Sequence, residues 1–170
     1  MNCQGLAYYP STSVGGAFVG SSFTANANTW NDMPAAGFGT SYTDPIGPWD
    51  IPAGGDYVFT NTNGHEKIFP IDDLGPGSIV EGIRVKILGG NALDGVKMEF
   101  VKRAAGAATW TSVSSNNLTS DVLVTGGPTS ITATTIVANT DYAIRVTSIV
   151  AVKDVKLFSV GYYTTKRVFK

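Results

Sequence analysis

Residues 78–88 read SIVEGIRVKIL, and this stretch decides the fold class. Its alternate positions separate into two sets, the first being Ile79, Glu81, Ile83, Val85 and Ile87, and the second Val80, Gly82, Arg84, Lys86 and Leu88. One set is mostly apolar and the other carries the cations, which is the period-two pattern of a strand with one buried face. The pattern therefore predicts a β-strand over 78–88 whose two faces are these two sets.

Similar short stretches follow one another at spacings near ten residues. The predicted strands are 55–60, 66–71, 78–88, 96–101, 109–114, 121–125, 130–137, 141–148 and 152–164. The predicted turns between them are Gly89 to Asn91, Ala105-Gly106, Asn116-Asn117, Gly126-Gly127-Pro128 and Asn139-Thr140. No stretch has capped 3.6-residue periodicity, so we expect an all-β protein with antiparallel sheets, either a sandwich or a barrel.

The composition excludes several classes of function. The chain has 170 residues, a formal net charge of -1, one histidine and one cysteine. A nucleic-acid binder that depends on a positive field is not expected at that charge, and a zinc site normally takes three or four Cys or His ligands. The chain has no run of about 18 apolar residues for a membrane span, and its first five residues lack the features of a secretory signal. We therefore expect a protein that is not an enzyme and that binds no cofactor, nucleic acid or membrane.

The first third of the chain differs from the rest. Residues 1–66 carry five acidic residues and no Lys or Arg, so all 12 basic residues lie from Lys67 onward. We expect an irregular N-terminal segment over 1–54 and a β-sandwich domain over 55–170. Either the segment folds over its own domain, or it is an arm that becomes ordered on a partner; aromatic residues would anchor such an arm. The candidate anchors are Tyr8, Tyr9, Phe18, Phe23, Trp30 and Trp49.

The last two predicted strands resemble the end of many jelly-roll domains. Residues 139–148 read NTDYAIRVTS and residues 152–164 read VKDVKLFSVGYYT. They resemble the pattern shared by carbohydrate-binding modules, TNF-like trimeric heads and small viral jelly rolls. The whole layout, with a Gly-rich aromatic lead before the sandwich, resembles the small virion proteins of tailed bacteriophages, above all the capsid decoration (cement) proteins.

That resemblance implies a jelly-roll protein with no catalytic activity that binds the outer surface of a phage head and stabilises the capsid lattice. Its partners would be the major capsid protein and further copies of itself, as a homotrimer. The protein would be made in the host cytoplasm and located on the virion. The anchors named above would contact the capsid or a neighbouring subunit.

Two other functions stay open. A tail-fibre or appendage head would bind a receptor or carbohydrate through loops at one end, at 89–95, 104–108 and 126–129, with Trp110 as a possible glycan contact. A shell protein that packages the genome itself is less favoured, because the N-terminal arm of such a protein needs basic residues to neutralise phosphate.

A group formed by His65-Glu66 and Asp72-Asp73 is a candidate for a metal or acid–base site, although ordinary turn carboxylates give the same pattern and are favoured here.

Overall fold

The strands of the computed structural model form two antiparallel sheets. The structure describes residues 29–36, 49–53 and 55–166, which contain nine strands and no helix. The strands are β1 Thr29–Pro34, β2 Val58–Thr60, β3 Glu66–Pro70, β4 Ile79–Gly89, β5 Gly95–Ala104, β6 Thr111–Thr119, β7 Val124–Thr135, β8 Thr140–Ile149 and β9 Val155–Lys166. Within these ranges there is consequently no helix that is long and apolar enough to cross a membrane.

The order of the strands is that of a jelly roll. Sheet A has the order β1-β9-β4-β7, with β2 also paired to β9, and sheet B has the order β3-β8-β5-β6. From β2 to β9 the chain moves between the sheets after every strand except β5, which forms a hairpin with β6. The predicted all-β, antiparallel, jelly-roll-like sandwich is confirmed, and the two strands that carried the resemblance are β8 and β9.

The core lies between the sheets and is made of aliphatic and aromatic side chains from both. Sheet B contributes Phe69, Met98, Phe100 and Ile144, and sheet A contributes Ile83, Val85, Ile87, Leu157 and Tyr162, all fully buried or nearly so. Each of these residues is followed by a residue on the outer face, as the two-residue period of a strand requires. The outer faces of the two sheets are therefore separate surfaces.

The predicted faces of β4 are wrong at its start. Val80 was placed with Arg84 and Lys86, but its side chain is 0% exposed, as is that of Ile83. The pairing of β4 shifts register between Val80 and Gly82 against both β7 and β9. A bulge of this kind inserts one residue, so buried positions before and after it no longer differ by an even number.

Two predicted turns lie inside strands. Asn116 and Asn117 are in the middle of β6, and Gly126, Gly127 and Pro128 are in β7, which joins the predicted strands 121–125 and 130–137. β7 is an edge strand and its pairing with β4 shifts register near these residues. Glycine and proline are compatible with a strand at edges and bulges, which explains why the turn signal failed here.

Part of the expected irregular segment 1–54 belongs to the sandwich. β1 pairs with β9 over its whole length, from Thr29 opposite Thr164 to Pro34 opposite Ser159. Farther along, Asp50 and Phe59 exchange both backbone hydrogen bonds, at 2.8 and 2.9 Å. These two described pieces of the segment thus pack on their own domain. This agrees with the first interpretation of the N-terminal segment, that it folds over its own domain.

Candidate binding surface

The outer face of sheet A carries five half-buried aromatic side chains. They are Trp30 of β1, Tyr57 and Phe59 at β2, and Phe158 and Tyr163 of β9. We call this set the aromatic strip. It extends beside the β9 residues 156–163, a length of about 25 Å at the usual rise per residue.

Trp30 lies across one end of the strip. Its partner in the β1–β9 ladder is Tyr163, and the two ring centroids are 5.8 Å apart. Tyr163 in turn pairs with Gly82 of β4, where a Cβ atom would come within 3.0 Å of the far edge of the Trp30 ring. The glycine therefore lets the indole lie over the neighbouring strands, and the guanidinium of Arg84 stacks on it at 4.5 Å from the ring centroid.

An ion pair separates the two ends of the strip. Asp32 of β1 and Arg84 of β4 lie opposite each other across Gly161 of β9. Two of the three guanidinium nitrogens engage the carboxylate, with Arg84 Nε donating to Asp32 Oδ1 at 2.9 Å and Nη2 donating to Oδ2. Because Gly161 has no side chain, the pair can close over β9 at the centre of the face. The same Arg84 is thereby fixed against Trp30.

The other end of the strip is built from β2 and β9. The Tyr57 ring lies 5.3 Å from Phe158 and 6.4 Å from Phe59, between ring centroids. Two ammonium groups cover these rings: Lys156 Nζ is 5.6 Å from the centroid of Tyr57, and Lys86 Nζ is 5.8 Å from that of Phe158. Aromatic rings and cations alternate along this surface.

The strip combines aromatic rings with cationic side chains. Arg84, Lys86 and Lys156 outnumber Asp32 and Asp50, the residue opposite Phe59, so the strip is positive although the chain as a whole carries a net charge of -1. The outer face of an antiparallel sheet is usually polar, whereas Trp, Tyr and Arg are the residues enriched at binding hot spots. A partner surface that is apolar and acidic would complement it.

Only two of the six predicted anchors lie in the described residues. Trp30 is on the aromatic strip. Trp49 is 6% exposed and packs in the main hydrophobic core, so the face that it presents to a partner is negligible and its contact is with its own sandwich. Tyr8, Tyr9, Phe18 and Phe23 lie outside the described residues.

Four members of the strip were not predicted from the sequence. Tyr57, Phe59, Phe158 and Tyr163 each follow or precede a buried core residue in a strand. An aromatic residue at the solvent side of an alternating strand is the signal that could have identified them. The missing information was which strands are neighbours, because β2, β4 and β9 are far apart in the sequence.

Trp110 lies against the outer face of sheet B. Its ring packs on the small buried cluster of Ile68, Val101 and Ala143, and the Arg103 guanidinium stands 4.4 Å from its centroid. Arg103 is itself held by Asp141, whose Oδ2 accepts from Nε at 2.9 Å. A sugar needs a free ring face for stacking, and Arg103 covers one. Arg84 covers Trp30 in the same way, so the feature that distinguishes Trp110 is the buried cluster on which its ring packs.

The acidic residues singled out in the sequence do not converge with His65. His65 precedes β3, where its Nδ1 is 2.9 Å from Thr60 Oγ1, whereas Asp72 follows β3 at the opposite end of the sandwich. No group of three or more potential metal ligands occurs in the described ranges. Asp73 Oδ1 instead accepts from the buried Tyr162 hydroxyl at 2.7 Å.

Asp72 is electrostatically strained by its neighbours. Although the residue is exposed as a whole, desolvation of its carboxyl group raises its pKa to about 6, and the charges of Asp141 and Asp73 add to that effect against the opposing charge of Arg103. The group is thus a local electrostatic cost of the turn at 71–78.

Asp94 connects the loops at the end of the sandwich opposite Asp72. Its carboxylate is 0% exposed and accepts from the backbone N–H groups of Ala151, Val152 and Lys153 at 2.7, 2.9 and 3.0 Å. Burial alone would raise the pKa of Asp94, but these hydrogen bonds, with one from Asp154, outweigh it and lower the pKa. The Asp94 carbonyl also accepts from Ser120, so one residue ties three loops together.

The loops expected to form one receptor-binding end are not at the same end. The β4–β5 loop, within 89–95, is tied to the Asp94 group, but 104–108 follows β5 at the opposite end and 126–129 lies within β7. The exposed large apolar side chains at the Asp94 end are aliphatic: Leu93, Val122, Leu123 and Val152. Among the described residues, this end offers no aromatic platform for a sugar.

The similarity of this chain to known proteins is low. No protein-family model and no curated protein matches the chain. Among solved structures, it is similar to a family two carbohydrate esterase from Cellvibrio japonicus, with 11% sequence identity and a TM-score of 0.42. The similarity covers 83% of this chain and 35% of the esterase, so the chain spans about a third of the length of that protein.

Proposed function

We propose that this chain is a non-catalytic virion protein that binds the outside of a phage head and stabilises the capsid lattice, with the aromatic strip as the surface that contacts the major capsid protein. The sequence resemblance supplies the virion context. The observation that supports a binding role is the strip itself: five half-buried rings and three cations on one outer sheet face.

The mechanism is passive. A protein that binds assembled shells more tightly than free capsid subunits stabilises the assembled state by mass action. The rings would supply apolar contact area at a low cost in side-chain entropy, because Tyr and Trp have few rotatable bonds. The cations would select an acidic capsid surface and would speed association at low salt.

Carbohydrate binding by Trp110 is not favoured as a second function. Its ring is stacked by Arg103 and packed on Ile68, Val101 and Ala143, which together give the ring a structural role. Trp110 is therefore the matched control for experiments on the strip, since it is also a half-buried tryptophan on an outer sheet face.

Substitution of Trp30 tests the proposal. Purified full-length protein is mixed with empty capsids of the virus that encodes it, and the bound fraction is measured by co-sedimentation. We expect saturable binding by the wild type. Trp30→Ala should weaken it by about 2 kcal/mol or more, which is roughly a 30-fold higher Kd. Trp110→Ala should bind like the wild type.

A second variant guards against a local folding defect. Tyr57→Ala removes a ring at the far end of the strip, in a different strand region from Trp30. It should also weaken binding while its urea unfolding remains cooperative. Binding that is unchanged in both Trp30→Ala and Tyr57→Ala, or no binding by the wild type, would refute the proposal.

A further inference from the structure

The free edge of β6 differs from the other sheet edges. β6 is the last strand of sheet B, and in the described part of the chain only β5 pairs with it. Its nine residues read TSVSSNNLT, without proline and without charge. At about 3.3 Å per residue it is about 30 Å long.

The remaining edges carry features that discourage pairing with another chain. β1 has Asp32 and Pro34, and β3 is five residues long with Glu66, Lys67 and Pro70. β2 has three residues. β7 contains Pro128 and its pairing shifts register at two places. Charges, prolines, bulges and short length are the ways in which natural edge strands avoid intermolecular pairing.

β6 is regular over most of its length. The register shift near Val113 is the one irregularity in its ladder with β5, which leaves 114–119 as a continuous run. Most of its side chains are exposed. The backbone N–H of Asn117 donates to Asn116 Oδ1 at 2.9 Å. In a paired strand, a backbone carbonyl of the neighbouring chain would take the place of this side-chain acceptor.

We propose that β6 pairs antiparallel with β6 of a second copy of this chain, across a twofold axis near Asn116 and Asn117. Sheet B would then continue through two copies as eight strands. A second copy fits this edge because the strand is uncharged, so that antiparallel self-pairing brings no like charges together. The twofold arrangement makes each contact occur twice.

This inference is independent of the proposed function. It gives pairs of chains, whereas the resemblance to decoration proteins implies trimers. A closed ring of three through β6 would need a different edge as its partner, and each other edge in the described residues has one of the features given above. The contact uses sheet B, so it leaves the aromatic strip on sheet A open.

The molar mass of the isolated full chain tests the pairing. Light scattering coupled to size exclusion, over a wide concentration series, should show a monomer that converts to a dimer. Asn117→Lys and Asn117→Asp each place two like charges beside the axis, so each should weaken the dimer by about tenfold or more. An equimolar mixture of the two variants should restore it, because the charges then attract.

Thr132→Lys provides the control. Thr132 is an exposed residue of β7, the edge strand of sheet A, so this variant should dimerise like the wild type. A wild type that stays monomeric at all concentrations would overturn the inference. So would any oligomer, dimer or trimer, that both Asn117 variants leave unchanged, or a mixture of the variants that fails to reassemble.

Discussion

Asp94→Ala is expected to lower the free energy of unfolding by about 3 kcal/mol, because it removes a fully buried carboxylate that accepts three backbone hydrogen bonds. The carboxylate is 0% exposed and three N–H groups of the β8–β9 loop donate to it. Urea denaturation at neutral pH measures the change. Asp121→Ala, an exposed acid on a neighbouring loop, should unfold within about 0.5 kcal/mol of the wild type.

The contribution of Asp94 should also depend on pH. Its pKa is lowered in the folded protein, so its stabilisation is fully present above the usual aspartate range and is lost as the pH falls through the folded value. The difference in stability between wild type and Asp94→Ala should therefore shrink in acid. If Asp94→Ala and Asp121→Ala unfold at the same urea concentration, the role given to Asp94 is wrong.

Trp49→Ala is expected to destabilise the fold by about 3 to 5 kcal/mol, the usual range when a buried Trp or Phe is truncated. Trp49 is 6% exposed and belongs to the main hydrophobic core. Urea denaturation again measures the change, with Trp30→Ala as the comparison because Trp30 lies on the outer face and should cost less stability. A Trp49→Ala protein of wild-type stability that no longer binds shells would instead make Trp49 an anchor.

Those two results would separate residues that build the fold from residues that bind. The sequence pattern alone treated Trp30 and Trp49 alike, as aromatic residues in a Gly-rich segment. The structure separates them: Trp30 is in β1 on the outer face of sheet A, whereas Trp49 is buried in the core, next to the Asp50–Phe59 bridge.

Much of the fold could be predicted from alternation. β3, β4, β5, β8 and β9 lie close to their predicted positions because each has apolar residues at alternate places on the core side. β1 was not predicted because the sequence TWNDMP has an asparagine, an aspartate and a proline, which weaken the strand signal. It forms a strand because β9 offers an edge with which it pairs, and local strand propensity does not include this tertiary effect.

The binding surface could be predicted only in part. Trp30 was identified from the composition of its segment, but its neighbours Arg84 and Tyr163 come from strands more than 50 residues away. Pairing of β1 with β9 and of β9 with β4 brings them together, and no local pattern specifies that order. The bulge after Val80 further changes which β4 residues face outward.

Oxidative footprinting of the protein bound to empty capsids tests the central claim most directly. Hydroxyl radicals label exposed aromatic side chains, and mass spectrometry reads each residue separately. The account predicts a severalfold loss of labelling at Trp30, Tyr57 and Phe158 on binding, with Trp110 unchanged. Strip residues that label equally in free and bound protein, with protection elsewhere, would contradict it.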